Sequence, residues 1–193
     1  MAEEINDNPQ SQKILNAAFA CISKKGYANV SLRDIADEAG VVLSQLNYYY
    51  KNKEGLFNEV VKRLAQQYLI EIEAKLKNGE SKKEKIACLM KYFQEMLKNK
   101  PELFKLLFDL SSMALWSASL RELLNNLFND VAKLIETNIF HQSITDKENF
   151  QEHSAALSRI MLGAIIGTSI QVMLAWGQVD MMDSLSTIPV LFE

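Results

Sequence analysis

Glycine and proline are scarce in this chain, with seven and three residues in 193. So few turn-formers exclude a fold of many short strands and favour long helices. The two cysteines, Cys21 and Cys88, are too few and too far apart for a disulfide scaffold or a metal cluster. Their isolation suits a reducing cytoplasm, where the protein is expected to reside. The two histidines, His141 and His153, stand in no metal-binding spacing. Nucleophile elbow, phosphate-cradling glycine loop and dinucleotide fingerprint are all missing, and the carboxylates are scattered at helix starts and solvent faces. No enzyme activity, cofactor or metal is therefore expected. Nor does a basic start followed by a short apolar core stand at the N-terminus, so no secretory signal is expected.

What is present is a globular composition, 48% hydrophobic, long enough to bury a sizeable core. The net charge of -3 is unevenly spread. Between Ser11 and Lys53, Lys13, Lys24, Lys25, Arg33, Lys51 and Lys53 stand against Asp34, Asp37 and Glu38. That segment carries +3 and the remainder -6. A mildly basic end on an acidic body fits contact with nucleic acid at that end only.

Hydrophobic periodicity places helices along the whole chain. Asn8-Pro9 opens the first, with Pro where a missing N–H costs nothing. Ile14, Leu15, Ala18, Phe19 and Ile22 form its apolar stripe, and Gly26 sits where a left-handed cap belongs. Ser31 and Asp34 have the spacing of a capping box for a second, short helix that buries Ile35, Ala36 and Ala39. Gly40 permits a sharp reversal, and Val41 plugs the angle between two helices. On the third helix Leu46 and Tyr50 face inward, four residues apart. Ser44, Asn47, Tyr48 and Lys51 fall on the opposite side, flanked by Gln45 and Tyr49. That outward face holds hydrogen bonders, aromatics and a cation, a set that a core does not need. Asn52 caps a long helix from Lys53 to Asn78-Gly79. Ser81 with Glu84, Ser119 with Glu122, and Thr145 with Glu148 are further capping boxes. Another helix opens at Pro101. After the last long helix, a short one over Asp180 to Ile188 stops at Pro189. No strand and no internal repeat is found.

Ile160 to Val179 contains no charged residue, and twenty residues can span a bilayer. Gly163 and Gly167 form a GxxxG pair. Thr168, Ser169, Gln171 and Gln178 dilute the run, and no basic cluster flanks it. The preferred reading is a buried helix that also forms a subunit interface around Gly163, Gly167 and Ile170, with no membrane involved.

The stretch VSLRDIADEAGV at Val30 to Val41, the YYY at Tyr48 to Tyr50 and KNKEGLF at Lys51 to Phe57 carry a family resemblance. Together with KKGY at Lys24 to Tyr27, they resemble the N-terminal domain of the TetR family of bacterial transcriptional regulators. The resemblance covers about Ser11 to Val60. It implies an all-α fold: a three-helix, helix-turn-helix DNA-binding head at residues 1–52, and a roughly six-helix ligand-binding and dimerisation body at 53–193. It further implies a homodimer that represses from a palindromic double-stranded operator and is released by a small effector. Carried over by position, Arg33, Leu43, Ser44, Gln45, Asn47, Tyr48, Tyr49 and Lys53 match DNA-contacting sites. Gln45 suits an adenine or guanine edge and Leu43 a thymine methyl. Ser44, Tyr48, Tyr49 and Lys53 suit phosphates. Two departures bear on specificity: Val42 stands where a capping Ser or Thr is common, and Asn47 where Tyr is common.

In the body, Met90, Phe93, Met96, Phe104, Leu107, Phe108, Met113, Trp116, Phe128, Met161, Met173 and Trp176 are large and adaptable. Each can be simple core filling; with the resemblance, they are expected to line a cavity for a hydrophobic or aromatic molecule. The alternative reading is a helical ligand sensor or adaptor without specific DNA binding.

Overall fold

A computed structural model describes residues 8–140, 153–175 and 180–192. Among these residues there are nine α-helices and no strand, as the scarcity of turn-formers predicts. The chain divides into two compact units. One comprises the chain up to Gln66 with Lys105–Leu124, the other Gln67–Phe104 with the chain from Asn125 onward. This division does not follow the expected one after residue 52: the helices Lys53–Lys77, Pro101–Ala114 and Ala118–Ile135 each contribute to both units.

The first unit begins with α1 (Pro9–Lys25), α2 (Leu32–Ala39) and α3 (Leu43–Tyr49). Asn8 caps α1 by accepting from the Gln10 amide at 2.9 Å, with Pro9 in the first turn. Ile14, Leu15, Ala18 and Ile22 are buried as predicted, whereas Phe19 is only half-buried. Gly26 ends α1 at φ 75°, a conformation that side chains resist. A β-carbon there would also stand 3.3 Å from the Asp109 carboxylate. The long helix α4 (Lys53–Lys77) adds Leu56, Phe57, Val60 and Val61 to this core, all nearly inaccessible. Each such large side chain contributes on the order of 1.5–3 kcal/mol. Two further helices, α6 (Pro101–Ala114) and α7 (Ala118–Ile135), complete the unit with Leu106, Leu110, Leu120 and Leu124.

The start of α7 differs from the sequence expectation. The Ser119–Glu122 pair does not form the cap: Ser117 does, its hydroxyl accepting from the Leu120 amide at 3.3 Å. The Ser119 hydroxyl accepts instead from the Asn58 amide group at 2.8 Å. The spacing rule failed because α7 begins two residues earlier than the box implies, with a serine at both positions.

In the second unit, α5 (Lys82–Asn99) carries the predicted capping box, with Glu84 N–H on Ser81 Oγ at 3.2 Å. After α7 the chain runs through a π-helical segment, Glu136–Phe140. The predicted Thr145–Glu148 box lies outside the described residues, as does His141. Within them, α8 (Ser154–Leu174) follows His153. The chain ends in α9 (Asp180–Thr187) and a 3-10 turn, Ile188–Leu191, that accommodates Pro189. Ile86, Leu89, Met90, Ile135, Ile139, Met161, Ile165 and Leu185 form the core. Polar ties fix its edges. Lys85 Nζ donates to the Asn138 carbonyl at 3.2 Å, Ser154 Oγ bonds Glu136 at 3.0 Å, and Gln94 donates to Met182 O and Ser186 Oγ.

Helix α8 is two-faced rather than wholly buried. Ser154, Ser158, Met161, Leu162, Ile165 and Ser169 face the core at helical spacing. Ile160, Gly163, Ile170 and Leu174 are exposed. Among the described residues α8 is the one helix long and apolar enough to cross a membrane, by length and composition alone.

Candidate nucleic-acid interface

The interface candidate is built on α2 and α3. Ser31 and Asp34 close a full capping box: Asp34 N–H donates to Ser31 Oγ at 3.1 Å, and Ser31 N–H to the Asp34 carboxylate at 2.8 Å. The Ser31 hydroxyl also bonds that carboxylate, and Lys25 pairs with it at 3.0 Å. These hydrogen bonds and the ion pair hold Asp34 well below the usual carboxylate range. Gly40 then takes the left-handed conformation at φ 60°, ψ 41°. Its N–H and that of Val41 close onto Asp37 and Ala36, as in a glycine helix terminator.

Helix α3 starts at Leu43 with no side-chain cap, because the capping position is Val42, which is 66% exposed. What fixes α3 lies at its underside and its end. Leu46 is fully buried, and the buried Tyr50 hydroxyl lies 2.7 Å from the hydroxyl of Ser11 on α1. The three successive tyrosines thus grade from inside to outside. Tyr50 is in the core, Tyr49 is half-buried, and Tyr48 is 80% exposed. Tyr48 and Tyr49 meet edge to face at 5.3 Å.

On the outer side the structure brings together most of the sequence-predicted residues. Ser44, Asn47 and Tyr48 are exposed, with Leu43, Gln45 and Tyr49 half-buried beside them. Arg33 on α2 is exposed and has no hydrogen-bond or ion-pair partner among the described residues. Lys53 stands apart. Its ammonium donates to the main-chain carbonyl of Tyr27 and lies 4.2 Å from the centroid of the Tyr27 ring. Partial burial there lowers its pKa from the ordinary lysine value. Sequence reasoning did not find Ser11 as the partner of Tyr50. The two are 39 residues apart, and neither lies in a local pattern that names the other.

The residues expected around a ligand cavity fall in different units. Met90, Phe93, Met96, Phe104, Phe128, Met161 and Met173 belong to the second, where the Phe93 and Phe104 rings meet at 6.5 Å. Leu107, Phe108, Met113 and Trp116 belong to the first. Trp116 is 89% exposed in the short link between α6 and α7, so its ring lines no interior cavity. Trp176 lies outside the described residues.

A capped α2, a glycine turn and an α3 that is apolar below and polar-aromatic above define a helix-turn-helix domain. Residues 14–60 match the family model of bacterial regulatory proteins, TetR family. The chain carries the TetR-family N-terminal domain, and its fold is that of TetR-family regulators. A TetR transcription regulator from Haloarcula marismortui has a TM-score of 0.76 at 19% identity, over 94% of this chain and 93% of that one. FadR from Bacillus subtilis, solved with stearoyl-CoA, has a TM-score of 0.74 at 21% identity, over 93% of this chain and 96% of that one. In sequence, a fatty acid metabolism regulator protein of Bacillus subtilis is 30% identical over 82 residues. That match spans 42% of each chain, so this chain covers under half the length of the relative.

Proposed function

We propose that this protein is a dimeric transcriptional repressor that binds a palindromic operator through α3 and leaves it when an apolar or aromatic effector binds the body. The observation that carries the reading is the outer face of α3. It presents Ser44, Gln45, Asn47, Tyr48 and Tyr49 over a fully buried Leu46. Polar groups on such a face remain solvated when free and become hydrogen bonders to base edges and phosphates in a major groove. Arg33 adds a cation beside it, and Leu43 an apolar contact. Lys53 completes the set of contacts that the family resemblance assigns, although its ammonium is engaged with Tyr27.

Dimerisation is supported by α8. A β-carbon built at Gly163 or at Gly167 meets nothing within 4 Å. This face therefore leaves room for a partner helix to approach closely. Two recognition helices held by a dimer enter successive major grooves about one turn apart. The effector reading draws on the large residues of the second unit and on FadR of Bacillus subtilis with its bound stearoyl-CoA. The helices α4, α6 and α7, which run through residues of both units, are the covalent route by which occupancy reaches the head.

The test is selection of duplexes from a random pool by the purified protein, followed by anisotropy titration of the recovered duplex. Recovery of a palindrome, with affinity lost on Asn47→Ala with Tyr48→Ala and reduced by added stearoyl-CoA, supports the full reading. Recovery of no duplex rejects DNA recognition and favours a sensor or adaptor. Recovery without any response to acyl-CoA or to aromatic compounds rejects the effector class.

A further inference from the structure

The helices on either side of α3 begin with a capping side chain. Ser31 caps α2, and Asn52 caps α4, its side-chain oxygen accepting from the Gly55 amide at 2.7 Å. Helix α3 begins instead at Val42, which has no group to offer its first amides. Valine is among the poorest residues at such a position. The backbone there is nonetheless well held. It is extended, at φ -75° and ψ 147°, and the Val42 carbonyl accepts from the Gln45 and Leu46 amides at 2.9 and 3.2 Å. The side chain is left in solvent. Among the described residues up to Tyr50, Val42 and Tyr48 are the exposed large hydrophobic side chains, and they stand at the two ends of α3. A stray exposed valine needs no explanation. One that stands in place of a cap at the start of a recognition helix does.

We propose, on the DNA-binding reading above, that Val42 is a specificity-determining residue whose methyl groups pack on the C5-methyl of one thymine in each half-site. The N-terminal residues of a recognition helix are the ones that reach base edges. The methyl of thymine is the apolar mark in the major groove. A valine suits it on three counts. Its apolar surface is already exposed. Branching at Cβ confines its one side-chain torsion, so little freedom is lost on contact. Its carbonyl bonds fix it to α3, and the fully buried Leu46 fixes the rotation of that helix. A serine would cap α3 but present a hydroxyl, which pairs with phosphates and with base edges of several kinds. Valine gives up the cap for a contact that tells thymine from the other bases.

The test removes that methyl and nothing else. In the duplex that the full-length protein recovers from a random pool, each thymine is replaced in turn, in both half-sites, by deoxyuridine, which lacks the C5-methyl. Affinity and thermal melting are measured for the wild type, Val42→Ser and Leu43→Ala. Burial of one such carbon changes affinity about fourfold (about 0.8 kcal/mol). At one thymine the wild type is therefore expected to lose about fourfold per half-site on replacement. Val42→Ser is expected to bind both duplexes alike at that position and to melt no lower than the wild type, since serine caps α3. Leu43→Ala is expected to keep the dependence there. A wild type indifferent to every replacement, or a Val42→Ser variant that retains every dependence, overturns the assignment. Loss of the dependence in Leu43→Ala alone gives the contact to Leu43 and also overturns it. If Leu43→Ala binds too weakly to assay, Val42→Ser decides alone. If the wild type recovers no duplex, the DNA-binding reading falls first and this inference with it. A recovered palindrome without the thymine dependence sinks this inference alone.

Discussion

The hydroxyls of Ser11 and Tyr50 lie 2.7 Å apart inside the first unit, both buried. This single bond ties α1 to the residue that ends the recognition helix. Tyr50→Phe removes only the oxygen and leaves Ser11 Oγ short of that partner, which costs roughly 1–3 kcal/mol. Ser11→Ala has the mirror effect on the tyrosine. Urea denaturation of both single variants and the double variant is expected to show strong non-additivity, the double costing less than the sum of the singles. Additive losses would show that the bond contributes nothing of its own.

Much of the head was legible because its signals are local. Asn8-Pro9, the Ser31–Asp34 box, Gly40 and the Leu46–Tyr50 spacing are each decided within a few residues, and each recurs in the structure. Contacts that join distant segments were not legible. Ser11 with Tyr50 and Lys53 with Tyr27 depend on how helices pack, and no sequence period encodes that. For the same reason the apolar residues of the body could be placed on helices but not assigned to one cavity. Trp116 shows the limit: its size suggested an interior place, yet it is exposed at an inter-helix link.

Stability is expected to fall at both extremes of pH, through different groups. Burial raises the pKa of Tyr50, and burial with the bond to Glu71 raises that of Tyr92. A raised folded-state pKa favours the protonated form. The contribution is therefore fully present below the unfolded tyrosine value of about 10 and is lost as pH rises through the folded value. Asp34 works in the reverse sense. Its depressed pKa contributes stability above the unfolded value of about 4, lost progressively as pH falls below it. Urea midpoints across pH should form a plateau with two falling flanks. Tyr92→Phe should flatten the alkaline flank and Asp34→Asn the acid one. Unaltered flanks in these variants would reject the assigned groups.

Gly79 is needed for space. It is buried between α4 and α5, and a β-carbon there would lie 2.7 Å from both the backbone nitrogen and Cγ of Lys85. The nitrogen belongs to a capped helix and cannot move without disturbing the Ser81–Glu84 box. Gly79→Ala is therefore expected to destabilise by about 1–3 kcal/mol, as overpacking does. Thermal and urea unfolding check this, and a neutral or stabilising result would mean that the α4–α5 link rearranges freely.

Gly163 and Gly167 are the opposite case, and they separate folding from assembly. Nothing described lies within 4 Å of a β-carbon at either position, so a larger side chain meets no obstacle within the described protomer. Replacing a helical glycine also favours the helix, by up to about 1 kcal/mol for alanine. If the exposed face of α8 packs against a second copy, bulk at these positions must instead hold two helices apart. Gly163→Leu with Gly167→Leu is expected to keep the helical circular-dichroism signal while shifting the protein from dimer to monomer in analytical ultracentrifugation. Operator affinity should fall with it, since each head would then bind its half-site alone. A wild type that is monomeric, or a double variant that remains dimeric with unchanged affinity, would remove α8 from the interface.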